Sequence, residues 1–179
     1  MPKYVAFLRA INVGGHTVKM DYLRHLFEDL GFSNVETFIA SGNVIFDSAS
    51  KSTKALEKKI EDRLQETLGY QVATFIRTTV ELAAIAHYNP FNAAELKAEG
   101  SAVYIAFLRE SPRNEAKQKL LSFTSEQDVF HVSGREAYWL CRQKFSDSKF
   151  SSARLEKSLG MQATLRNSTT LTKIASKYP

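Results

Sequence analysis

Apolar residues recur along this chain at two spacings, and their alternation divides it into extended runs and amphipathic helices. Tyr4 to Ile11 is an apolar run with Arg9 as its one charge, the pattern of a buried strand. Met20, Leu23, Phe27 and Leu30 then fall at helical spacing and end at Gly31, a natural left-handed stop. Val35 to Ala40 and Val44 to Phe46 flank Ser41-Gly42-Asn43, which reads as a hairpin turn. Leu56, Ile60, Leu64 and Leu68 form a second helical stripe closing at Gly69. Val72 to Arg77 is a fourth strand, and Thr78-Thr79-Val80-Glu81 has the form of a capping box opening a helix that stops before Asn89-Pro90. The order is βαββαβ with an extra helix.

The same order returns. Ala6 to Arg9 and Ala106 to Arg109 are both Ala-Phe-Leu-Arg, an offset of 100. Phe38 to Gly42 matches Phe130 to Gly134 at 92, Leu64, Leu68 and Gly69 match Leu155, Leu159 and Gly160 at 91, and Arg77 matches Arg166 at 89. Val103 to Leu108 therefore predicts a strand, Ser111-Pro112 a helix start with proline in the first turn, Asp128 to Cys141 a hairpin, and Ala163 to Arg166 a last strand before a last helix. The βαββαβ order is that of a ferredoxin-like motif. The expected fold is α+β, a tandem duplication of ferredoxin-like modules with antiparallel sheets: residues 1–90, a linker at 91–100, and 101–179.

The fall in offset from 100 to 92 gives the first unit about eight extra residues, and the glycine-rich stretch Ile11 to Val18 is their natural place. An insertion on one copy of a rigid scaffold points to function. Val13-Gly14-Gly15-His16 is equally readable as a hairpin turn, since paired glycines supply positive φ. On the functional reading the loop lies outside the core, and its deletion should be tolerated.

Composition narrows the classes. The chain has 179 residues, 44% of them apolar, enough for an ordinary core. Its single cysteine, Cys141, rules out an internal disulfide and fits a reducing compartment, so the expected location is cytoplasmic. No stretch reads as a signal peptide or membrane span, and no membrane partner is expected. Net charge is +5 but uneven: residues 1–99 carry 11 Lys/Arg against 12 Asp/Glu, and residues 100–179 carry 13 against 7. A basic second half fits an anionic partner, a small molecule or a nucleic acid, and fits equally a solvated surface.

Catalytic chemistry is hard to find. The four histidines show no metal-ligand spacing, Cys141 sits among aromatics in a strand, and neither a serine elbow nor a phosphate-binding loop of the Gly-Lys-Ser/Thr type occurs. No metal and no cofactor are expected. Tyr138 and Trp139 fall on the third strand of the second unit, where RNA-recognition sheets carry their stacking aromatics. The accompanying signature is missing, and core packing is the expected fate of Trp139. Arg166 and Asn167, at a strand end before a helix, form a candidate anion site or a helix cap.

Three stretches, Phe7 to Gly15, Val18 to Phe46 and Ala163 to Ala175, together resemble the bacterial family catalogued as domain of unknown function 1697. The resemblance implies two ferredoxin-like halves and brings no established activity, substrate or cofactor. Carried onto this chain, the family pattern marks Arg9, Asn12, Val13, Gly14, Gly15, Lys19, Met20, Ser41, Gly42, Asn43, Arg166 and Asn167. Ala10 stands where the family usually has glycine, and Ser168 where a tryptophan commonly follows Arg-Asn. The marked residues are amides, glycines, a hydroxyl and a few cations, with hardly a proton-transfer group. That is the inventory of a binding site for a small anionic or nucleotide-like ligand rather than of an enzyme. Catalysis by electrostatic stabilisation alone, nucleic-acid binding through the basic half, and a protein-interaction or oligomerisation role stay open. Asn12, Ser41, Asn43 and Arg166 are expected to share one patch.

Overall fold

The computed structural model describes residues 1–12, 15, 17–39, 42–96, 100–143 and 150–179. Among these residues the chain is a mixed α/β protein with two four-stranded antiparallel sheets and seven helices. It divides into two compact units, Met1–Ile85 with Ile174–Pro179, and Ala86–Lys173.

In the first unit, β1 (Lys3–Leu8) is followed by α1 (Met20–Asp29), β2 (Ser33–Thr37), β3 (Asn43–Asp47), α2 (Thr53–Leu68), β4 (Thr74–Thr78) and α3 (Thr79–His87), and the sheet runs β2-β3-β1-β4. The glycine stops act where expected: Gly31 and Gly69 both have positive φ at helix ends. Ser52 caps α2 by accepting from Ala55 N at 3.2 Å. Tyr4, Ala6 and Leu8 of β1 face α1 and α2 in a core with Leu23, Phe27, Phe46, Ile60 and Ile76. The alternate residues Val5 and Phe7, with Ile45 and Phe75 beside them, are also fully buried. A strand buried on both faces reads as an unbroken apolar run, as β1 does.

The outer edge of β4 is closed by glutamates. Thr74, Ile76 and Thr78 turn their N–H groups away from β1, and each donates to a carboxylate: Glu61 at 3.3 Å, Glu57 at 3.0 Å and Glu81 at 2.8 Å. Glu81 N in turn donates to Thr78 Oγ1 at 3.0 Å, which completes the capping box of α3.

After a short α4 (Ala93–Leu96) come β5 (Ala102–Phe107), α5 (Asn114–Leu121), β6 (Asp128–Ser133), β7 (Glu136–Cys141), α6 (Ser152–Leu159), β8 (Thr164–Asn167) and α7 (Ser168–Lys177), whose residues from Ile174 on count with the first unit; the sheet order is β6-β7-β5-β8. Trp139 is fully buried, packs on Phe130 and Phe150, and donates from Nε1 to Asp128 Oδ1 at 2.8 Å. Helix α5 starts later than Ser111-Pro112 implies. Arg113 is its extended N-cap residue and makes no side-chain cap, because the helix begins only where Lys117 N reaches Arg113 O.

The strand registers of the two units correspond. Tyr4 faces Phe46 and Thr78, as Tyr104 faces Trp139 and Asn167; Val5 faces Arg77, as Ile105 faces Arg166. Register thus aligns Phe46 with Trp139, an offset of 93, one residue from the 92 that the Phe-x-x-Ser-Gly match gives. The sequence match pairs Phe38, in the five-residue turn Phe38–Gly42, with Phe130, which lies in β6 ahead of the two-residue turn Gly134–Arg135, and so does not follow the strand pairing.

The C-terminal residues close the first unit. The Tyr178 hydroxyl donates to Glu36 on β2, and Lys177 lies 3.5 Å from the same carboxylate. The tyrosine hydrogen bond holds the Glu36 carboxyl below its ordinary range, with Lys177 assisting against partial burial. Burial opposes ionisation of Asp47, but the Asn34 amide at 2.7 Å and Lys3 at 2.8 Å outweigh it and lower its pKa too. A depressed carboxylate contributes stability above its unfolded pKa and loses it as pH falls through the folded value. The melting temperature should therefore fall on acidification below about pH 4, and Glu36→Gln with Asp47→Asn should flatten that dependence while lowering stability at neutral pH. Thermal melts across pH 2–7 check both.

Candidate functional site

The residues singled out by sequence fall in both units. Arg9, Asn12, Gly15, Lys19, Gly42 and Asn43 belong to the first, and Arg166 and Asn167 to the second. Gly14 and Ser41, together with Val13, lie outside the described residues.

In the first unit two loops meet at one end of the sheet. Leu8 N donates to Gly42 O at 2.9 Å, so the end of β1 and the β2–β3 turn are in direct contact. This approach needs a glycine: a Cβ at Gly42 would lie 2.7 Å from Ile11 Cγ2 and 3.1 Å from Leu8 Cβ, and its φ is +78°. Asn43 is fully buried and donates from Nδ2 to Phe38 O at 2.9 Å, while Phe38 N donates to Asn43 O at 2.9 Å. Asn12 accepts from Val18 N through Oδ1 at 2.7 Å and draws the two ends of the glycine loop together. Both asparagines shape loops. Lys19 is exposed at the N-cap of α1 with no side-chain cap, Arg9 is half-buried, and Gly15 is exposed with open space where a Cβ would stand.

Length is added in both loops. Arg9–Lys19 separates β1 from α1, against Leu108–Arg113 in the second unit, and the hairpin turn is five residues against two. The extra residues inferred from the repeat are therefore not confined to Ile11–Val18. Nor is that stretch outside the core: Ile11 is 2% exposed and Val18 6%, and both pack with Leu8 and Leu23. The apolar side chains at its two ends anchor the loop, which corrects the expectation that it could be deleted freely.

Two of the three described non-glycine residues at positive φ lie at this end, Ala10 at +55° and Ile39 at +59°, the third being Asn34 at the start of β2. A β-branched residue rarely adopts the left-handed region, and Ile39 is also half exposed. At Ala10 the conformation explains why glycine suits the position.

Arg166 and Asn167 are engaged differently. Arg166 is 8% exposed, and Nη1 donates to Thr164 Oγ1 at 2.7 Å and to Leu165 O at 2.9 Å. Burial lowers its pKa to about 10, which leaves it cationic at neutral pH. Arg77, at the corresponding register position, is fully buried and donates from Nη1 to Ile76 O at 2.9 Å. Asn167 accepts from Thr169 N at 2.9 Å, the cap reading of this residue. Among the described residues no cluster of three or more His, Cys, Asp or Glu could hold a metal ion, and no helix is long and apolar enough to cross a membrane.

The sequence of the first unit and of most of the second defines a family. The chain belongs to the family described as "Protein of unknown function (DUF1697)", which matches residues 1–138. The stretch Ala163 to Ala175 lies beyond the matched residues. A solved structure, conserved bacterial protein SP0830 from Streptococcus pneumoniae, shares the fold at 23% identity with a TM-score of 0.77, covering 99% of this chain and 98% of that one. No curated protein matches the chain.

Three glycine and alanine exchanges separate contact from strain. Gly42→Ala adds a Cβ into Ile11 and Leu8 at positive φ and should cost about 2 kcal/mol or more. Gly15→Ala meets only backbone strain and should cost about 1 kcal/mol. Ala10→Gly relieves strain and should raise stability by about 0.5–1 kcal/mol. Denaturant unfolding of the three variants reads the order directly.

Proposed function

We propose that the protein is a binding module for a small anionic or nucleotide-like ligand, built from two tandem ferredoxin-like modules, and that the loop end of the first sheet receives the ligand. The duplication is supported by the shared strand order and by the corresponding registers of Arg77 and Arg166. In this reading the modules follow residues 1–90 and 101–179 with a connection at 91–100, and Cys141 remains a reduced thiol in the cytoplasm.

One observation carries the ligand site: the two loops lengthened in the first unit are the two held together by the Leu8–Gly42 bond, and both carry non-glycine residues at positive φ. Strain of this kind survives only where the surrounding structure enforces it, and it clusters at ligand clamps. Arg9 and Lys19 flank the glycine loop and supply positive charge, and the exposed Gly15 leaves room for a ligand to approach the backbone. No acid or base stands ready for proton transfer in this set, so binding without catalysis is the favoured role. For the RNA reading, a stacking platform needs accessible rings, and the burial of Tyr138 and Trp139 weighs against it.

The test is a titration of the ¹⁵N-labelled full chain with pyrophosphate, nucleoside mono- and triphosphates and sugar phosphates. Shifts should concentrate on the amides of Arg9, Asn12, Gly15, Lys19, Gly42 and Asn43, and Lys19→Ala should weaken binding about tenfold. Silence at these amides with every anion rejects the site. Binding of mixed single-stranded RNA with a log–log salt slope of roughly −2 or steeper, at about −0.7 per contact, would replace it with the nucleic-acid reading.

A further inference from the structure

The second unit holds a cleft that the loop-end reading does not use. The segment from Ala86 to Leu96 runs along the face of the second sheet turned away from Trp139; a cavity of about 350 Å³ lies against it, and one of about 340 Å³ adjoins at Leu96. Leu96, Val103 and Ser168 line both, so the two form one cleft with two lobes. Its size falls within the range of small-molecule sites.

The lobes differ in chemistry. One is walled by Pro90, Ile105 and Tyr88. Tyr88 is held in place there: its ring lies 5.2 Å from that of Tyr138, and its hydroxyl is 2.9 Å from His131 Nε2. The other lobe presents Ser101, Asn167, Ser168 and Thr169 at the start of α7. Asn167 Oδ1 already accepts from Thr169 N, and its side chain also bonds the Tyr104 hydroxyl, so the helix start has its own cap. The Ser101 hydroxyl oxygen is different. It is out of solvent and has no hydrogen-bond partner, although a buried hydroxyl without one is costly.

Among the described residues, neither lobe is lined by Lys, Arg, Asp or Glu. An anion entering the cleft would lose its water and find no lysine or arginine among the described lining residues. A neutral molecule with a flat ring body and an uncharged hydroxylated part would place the ring against Ile105 and Tyr88 and its hydroxyls against Ser101, Ser168 and Thr169. We propose that this cleft binds an uncharged nucleoside, selecting against its phosphorylated forms. The site lies on different residues, and selects a different charge, from the loop end of the first unit, so either can fail alone.

Full-length protein titrated with adenosine, guanosine, cytidine and uridine, and with their 5′-monophosphates, tests this by calorimetry and saturation-transfer NMR. At least one nucleoside should bind, about tenfold or more tighter than its monophosphate. Ser168→Trp, which places an indole between the lobes, should abolish binding while the chain still unfolds cooperatively. If that variant fails to fold, Ser101→Ala decides, with an expected loss of roughly three- to tenfold from one hydroxyl. No nucleoside binding at millimolar concentration, tighter binding of the monophosphates, or affinity indifferent to Ser101→Ala overturns the proposal.

Discussion

The packing of Ile11 and Leu8 against Gly42, held by the hydrogen bond from Leu8 N to Gly42 O, governs the loop end of the first unit, because a side chain at Gly42 would collide with both. Once β1 and the hairpin turn are joined there, Ile11 must pack under the turn, and Ala10 must bend the chain through a left-handed conformation to bring it in. Asn12 then closes on Val18, which returns the chain to the core before α1 begins at Met20. The second unit forms the corresponding bond, Leu108 N to Arg135 O at 2.9 Å, but with a two-residue turn and a shorter connection to its helix. The strand-end hydrogen bond is common to both units, whereas the positive φ at Ala10, Ile39 and Gly42 belongs to the first alone. The exposed loop surface differs.

Burial on both faces of the first sheet sets a second constraint, since every polar group there needs a partner inside the protein. The three glutamates on β4 answer it at the open edge, and Glu57, only 4% exposed, does so as a buried carboxylate. A strand edge closed by side chains of its own unit offers no N–H row to another chain. This makes β-sheet extension through β4 an unsuitable route to oligomers.

How much of this could be read from the residues follows from what each signal measures. Apolar spacing reports which side chains are buried, so Leu56, Ile60 and Leu64 mark α2, and Gly69 marks its end. The Thr78–Glu81 capping box is visible because both partners are local in sequence. Glu57 and Glu61 look like ordinary exposed helix residues, since their role depends on a strand more than ten residues away. The repeat offset misses by one at the hairpin because composition matches the Ser-Gly pair, whereas register follows the strand pairing. Asn12 and Asn43 attract notice as ligand-reading amides, yet the Asn12 side chain accepts from Val18 N and that of Asn43 donates to Phe38 O, both nearby backbone groups. Nothing in the sequence separates those two uses of an amide. The positive φ at Ile39 had no local signal at all, being imposed by the turn around it.

The charge imbalance is where composition and structure part most clearly. Residues 100–179 carry 13 basic against 7 acidic side chains, and a uniform count treats each as a contribution to surface potential. Arg166 is buried among its own strand's acceptors, so its charge organises β8 rather than attracting ions through solvent. Arg154 lies over the Phe123 ring at 5.5 Å, and Lys177 sits beside Glu36 as part of the first unit. Each of these cations is committed to a local neighbour. A polyanion gains affinity by meeting several cations at phosphate spacing and releasing counterions from each, and dispersed, individually partnered charges supply few such contacts. Three of the thirteen cations are thus tied to local neighbours while Arg109, Arg113, Lys119, Lys157 and Lys173 stay exposed, so the bare count overstates the potential of the basic half.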